Sequence, residues 1–203
     1  MNICVYGASS RTIDKKYTDA AEELGQALAM RGHALVFGGG NAGVMGASAR
    51  GADAVEGATI LGIAPTFFNV DGVLYPHCTE FISPPDMRAR KKLLEDRSDA
   101  FVIAPGGIGT YDEFFEILTL KQLGRHAKPI AIFNVDGYYD LLLSLLQHTV
   151  DGNFMNATSL ELFKVFDEIA PMLDYLENYE APAHEASFFK NVDKGILPET
   201  END

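Results

Sequence analysis

Short, almost wholly apolar runs separated by helix-like stretches constrain this chain more than any other feature. Residues 2–6 (NICVY), 34–37 (ALVF), 59–64 (TILGIA), 100–104 (AFVIA) and 129–134 (PIAIFN) read as strands without the polar alternation of a sheet with one wet face. Residues 161–166 continue the series. Between these runs lie segments with apolar residues at helical spacing: 15–31, a small-residue helix to about Glu56, a basic helix from the N-cap Asp86 to about Arg97, then 110–123, 138–151 and 168–178. Strands that are apolar on both faces need helices on both faces. Right-handed crossovers then predict a doubly wound, Rossmann-like α/β domain with a mostly parallel sheet. One such domain is expected over residues 1–179. Residues 180–203 read as a C-terminal tail that Phe188 and Phe189 could dock.

In such sheets ligands bind beyond the carboxyl ends of the strands, where the strand order reverses. Glycine-rich loops occupy that end three times here: GASS after 2–6, GGGNAG after 34–37 and PGGIGT after 100–104. Gly38-x-Gly40-x-x-Gly43 matches the dinucleotide fingerprint, but the next strand ends in Ala64-Pro65 and not in the acid that would hold a ribose. An NAD-dependent oxidoreductase is disfavoured by that defect, while Gly40 and Asn41 remain candidate ligand contacts. PGGIGT lacks the lysine of a Walker A loop, which argues against the usual ATPase or kinase. It still offers the amides of Gly106, Gly107 and Gly109 and the Thr110 hydroxyl at a helix start, where a monophosphate fits. Ser9 and Ser10 read as further phosphate or ribose donors.

Glu113 has two readings. Thr110-x-x-Glu113 has the spacing of a capping box, and a carboxylate one turn into a phosphate-binding helix also reaches an attached ribose. Glu116, three residues on, is either a second ribose ligand or an exposed helix residue. Met87-Arg-Ala-Arg-Lys-Lys92 is the dense basic cluster of the chain. It is either a solvated helix face or a source of cations for a phosphate or a leaving base.

The net charge of −13 argues against nucleic acid as a partner. No apolar run approaches a membrane span. Two cysteines, Cys4 and Cys78, outside any C-x-x-C pattern, predict a reducing cytoplasm and no structural disulfide. The five histidines show no metal-ligand spacing, and no serine sits in G-x-S-x-G. No metal and no cofactor are expected.

Taken in order, YGASS, GGGNAGVMG, GATILGIAP, MRARKK, SDAFVIAPGGIGTYDEFFE, QLGRHAKPI and FNVDGYYD resemble the Lonely Guy family over roughly residues 1–178. The resemblance implies a homodimeric hydrolase that cleaves the N-glycosidic bond of cytokinin riboside 5′-monophosphates, and often AMP, to free base and ribose 5-phosphate. It places the catalytic arginine on Arg90 and the catalytic glutamate on Glu113. The phosphate loop falls on Gly106, Gly107, Gly109 and Thr110. Met87 and Lys91 match the family's motif methionine and lysine as substrate contacts. Arg88 stands where the family often has histidine, and Asn41-Ala42 and Ile108 are less common fillings. These departures bear on base specificity more than on bond cleavage. An older lysine decarboxylase label has no pyridoxal lysine pattern behind it here. The alternative class is a non-catalytic nucleotide or cofactor binder like the molybdenum cofactor carriers.

Overall fold

Parity along the first strand sets the architecture. In β1 (Asn2–Tyr6), Ile3 and Val5 point to one face while Cys4 and Tyr6 point to the other, and all four are buried. A computed structural model describes residues 1–181. The elements after β1 are α1 (Lys15–Met30), β2 (Ala34–Phe37), α2 (Gly43–Asp53), β3 (Ile60–Ile63), β4 (Glu80–Ile82) and α3 (Met87–Asp96). Then follow β5 (Ala100–Ile103), α4 (Ile108–Gln122), β6 (Ile130–Phe133), α5 (Asp140–Asp151), β7 (Lys164–Phe166) and α6 (Ile169–Glu177). The seven strands form one sheet in the order β4-β3-β2-β1-β5-β6-β7, and every pairing is parallel.

Two cores follow from the strand parity. Ile3, Val5, Leu35 and Phe37 pack beneath α1, α2 and α6. Cys4, Tyr6, Phe101 and Ile103 pack beneath α3, α4 and α5. The chain steps from β1 outward to β2, β3 and β4, then crosses back to β5 on the other side of β1. The loops after β1 and β5 therefore face each other at the point where the order reverses.

Two expectations need correcting, and residues 65–80, between the third apolar run and the basic helix, hold a 3-10 turn at Thr66–Phe68 and the start of edge strand β4. β4 is three residues long with Glu80 and Phe81 exposed, so it carries no apolar run to reveal it. Residues 161–166 form a strand only from Lys164, because a 3-10 turn occupies Ala157–Leu162. The helix expected from residue 110 starts two residues earlier, at Ile108. The tail expected at Phe188 and Phe189 lies outside the described residues.

Candidate active site

The loops at the reversal are tied to one another by main-chain bonds. Ala8 N–H donates to the Pro105 carbonyl at 3.0 Å, and Met45 N–H, in the first turn of α2, donates to the Ala8 carbonyl at 3.1 Å. The GASS loop is thus held between the PGGIGT loop and α2. A cleft of about 570 Å³ opens above them. Of the residues singled out in the sequence, Ser9, Gly40, Asn41, Met87, Arg90, Gly107, Gly109, Thr110 and Glu113 line it.

Three of the predicted contacts are not in that lining. Gly106 is buried beneath the loop, and a Cβ there would lie 2.1 Å from Thr110 Oγ1. Its glycine identity serves the close packing of loop on helix. Lys91 and Glu116 pair with each other at 2.6 Å, and Lys91 also reaches Asp112 at 3.0 Å. Sequence spacing could not separate Arg90 from Lys91, since neighbours on a helix point about 100° apart and only the packing decides which one turns inward.

Thr110 and Glu113 do not form a capping box. The N-cap of α4 is Gly107, which offers no side chain, so Thr110 sits inside the first turn. Glu113 turns instead to another helix. Arg90 Nη1 donates to Glu113 Oε1 at 2.5 Å, with both side chains about 9% exposed. Arg90 Nε also donates to the Ile63 carbonyl at the end of β3, at 3.2 Å. Gly38 makes the room: a Cβ there would fall 2.2 Å from Arg90 Nη2. α3 owes its start to Asp86, whose carboxylate accepts from Ala89 N–H at 2.9 Å, and Met87 and Arg90 follow on the cleft side.

The first turn of α4 is left without a side-chain cap at the cleft wall. Such a turn presents free N–H groups and the positive end of the helix dipole, a site for an anion. Beneath it, burial raises Glu113 above the ordinary carboxylate range, and the Arg90 charge opposes that rise. A buried carboxylate held by one arginine can face a developing positive charge in a water-poor site.

The sequence reading missed the apolar wall formed by Met45, Phe68, Val73 and Leu74, and the rim position of Arg11. The strap that carries Phe68 to Leu74 is pinned by Asn41 N–H to the Val73 carbonyl at 2.8 Å, Tyr75 N–H to the Gly39 carbonyl at 2.9 Å and Arg11 Nη2 to the Gly72 carbonyl at 3.2 Å. FFNVDGVL has no periodic pattern of its own, so only these long-range bonds place it over the site.

A family model described as "possible lysine decarboxylase" matches residues 45–176. A cytokinin riboside 5′-monophosphate phosphoribohydrolase from Arabidopsis thaliana is 38% identical over 185 residues, covering 90% of this chain and 84% of that protein. The chain belongs to the Lonely Guy family. A probable cytokinin riboside 5′-monophosphate phosphoribohydrolase from Oryza sativa subsp. japonica is likewise 38% identical, over 87% of this chain and 78% of its own. In three dimensions the Chlamydomonas reinhardtii molybdenum cofactor carrier protein shares the fold of this Lonely Guy chain. Its TM-score is 0.65 at 22% identity, covering 87% of this chain and 95% of the carrier. Among the described residues no lysine lines the cleft. Lys121 is buried at the far end of α4, with its Nζ over the Tyr179 ring at 4.7 Å.

Among the described residues no helix is long and apolar enough to cross a membrane. Cys4 and Cys78 are both unpaired, and burial pushes the Cys4 thiol up to about 12, which disfavours the thiolate.

Proposed function

We propose that this protein is a nucleoside 5′-monophosphate phosphoribohydrolase, which hydrolyses the N-glycosidic bond of AMP or of a cytokinin riboside monophosphate. The observation that carries the reading is the buried Arg90–Glu113 pair on the floor of a cleft walled by an uncapped helix start. The names of the relatives support it. The 5′-phosphate sits at the first turn of α4, with Ser9 and Thr110 as hydroxyl donors. Anchoring the phosphate holds C1′ over the Glu113 carboxylate, so binding energy is used for orientation. As the bond to the base lengthens, positive charge builds on the sugar and the carboxylate stabilises it. Water adds to C1′, and the base leaves with the bonding electrons and takes up a proton. Arg90 holds the carboxylate in place and offers its charge to the departing base. The Met45, Phe68 and Leu74 wall receives apolar parts of the base.

The reading includes a homodimer in a reducing cytoplasm and needs no metal or cofactor. α4 and α5 cover the same face of the sheet, and Ile108 at 86%, Leu141 at 85% and Phe154 at 88% exposed leave that side apolar to solvent. A second copy covering it would lie against the cleft rim at Ile108. Replacing Leu141 and Leu145, which is also exposed one turn further along α5, by aspartate should shift the light-scattering mass from two chains to one; a variant that stays dimeric excludes this surface.

Incubation with AMP, isopentenyladenosine monophosphate and adenosine, followed by chromatography of the free base, tests the activity. Release from the monophosphates and much less from adenosine is expected. No base from any nucleotide would leave a binder in the manner of the molybdenum cofactor carriers.

A further inference from the structure

Tyr138 and Tyr139, in the segment between β6 and α5, lie outside the cleft lining but reach the loop that forms its wall. Tyr138 Oη donates to the Gly106 carbonyl at 2.7 Å, and Tyr139 Oη to the Ala104 carbonyl at 2.7 Å. The carbonyl between them, that of Pro105, accepts from Ala8 N–H. Three successive carbonyls of the loop are therefore each drawn away by a donor from elsewhere in the chain. In a trans peptide the N–H points opposite to the carbonyl of the same plane, and among the described residues no peptide is cis. Holding the Gly106 carbonyl toward Tyr138 turns the Gly107 N–H the other way, and Gly107 lines the cleft.

That peptide needs an external hold. It joins two glycines, and a Gly-Gly link has more accessible conformations than any other. Gly106 cannot gain a side chain without striking Thr110. Tyr138 is itself fixed, with its ring edge-on to Tyr17 at 5.4 Å and to Tyr139 at 4.9 Å. Burial, with Tyr111 adding to it, pushes its hydroxyl up to about 12, so it remains a donor near neutral pH.

We infer that Tyr138 is a positioning residue for the substrate phosphate, acting through the Gly106–Gly107 peptide. The inference rests on the reading above, in which the first turn of α4 holds a monophosphate. Tyr138→Phe keeps the ring and its edge contacts and removes only the donor. The KM for AMP should rise about tenfold, the effect of one well-placed hydrogen bond, while kcat stays within about twofold. Turnover of adenosine, which lacks the phosphate, should not change. Calorimetric binding of ribose 5-phosphate should weaken by the same factor of about ten. Should the Phe variant not fold, Tyr17→Leu removes a ring that holds Tyr138 and should raise the KM in the same direction, by about threefold. Wild-type KM and ribose 5-phosphate affinity in a folded variant would overturn the assignment. Wild-type protein that binds ribose 5-phosphate but releases no base would overturn the hydrolase reading alone, leaving the binding arm to test Tyr138. Wild-type protein that does not bind ribose 5-phosphate would overturn both.

Discussion

Two of the ion pairs that join α3 to α4 differ by one residue on the first helix and one turn on the second. Arg90–Glu113 has both side chains about 9% exposed, on the cleft floor. Lys91–Glu116 has side chains 20% and 41% exposed and lies outside the cleft lining. The residue types match, and the spacing in sequence nearly matches. What differs is the surroundings. The inner pair has lost its water, gains a fixed bond from Arg90 to the Ile63 carbonyl, and occupies the room left by Gly38. The outer pair shares Lys91 with Asp112 and stays in contact with solvent. Charge becomes chemistry where desolvation makes it strong, and on the wetter side it remains a modest brace between helices.

Arg90→Ala should show the largest contrast between the pairs. It leaves the Glu113 carboxylate buried and unpaired, which costs about 3 kcal/mol of stability, and base release should fall about a hundredfold. Chemical denaturation and the AMP assay read the two effects separately. A variant as stable and as active as wild type would place the buried pair on a level with the outer one.

A buried cation without a carboxylate makes the middle case. Among the described residues Lys121 Nζ has no hydrogen-bond partner, and burial lowers it to about 8 from 10.5. The unfolded chain keeps its proton up to about 10.5, while the fold releases it near 8, so charged Lys121 costs stability fully below pH 8. That cost fades as the pH rises from 8 toward 10.5. Lys121→Met should therefore stabilise the fold at pH 7 by about 1–2 kcal/mol, after allowing for the lost contact with Tyr179, and by less at pH 10. Calorimetric melting at the two pH values checks both the sign and the trend.

Much of this was legible in the sequence. Continuous apolar runs imply a sheet covered on both faces, and glycine after three of them marks the ligand edge. Resemblance then named Arg90 and Glu113. Spacing alone leaves Glu113 between a cap and a ligand, and it points to a helix start at Thr110. Gly107 caps α4 three residues before Thr110, an offset that local spacing does not specify. The partner of Glu113 lies 23 residues upstream on a different helix, a contact that depends on tertiary packing. β4 and the strap over Phe68 were hidden for a related reason. Both are short and exposed; β4 is held by its pairing with β3, and the strap by bonds to the loops after β1 and β2. The resemblance makes Lys91 a substrate contact and spacing leaves Glu116 between a ribose ligand and an exposed helix residue, while in the structure the two pair with each other.

The most direct test sets the two glutamates side by side. Glu113→Gln and Glu116→Gln each remove one charge and keep the side-chain shape. With folding verified by circular dichroism, adenine release from AMP under saturating substrate should fall at least about a hundredfold in Glu113→Gln. It should stay within about twofold of wild type in Glu116→Gln. Equal rates in the two variants would contradict the assignment of the chemistry to the buried pair.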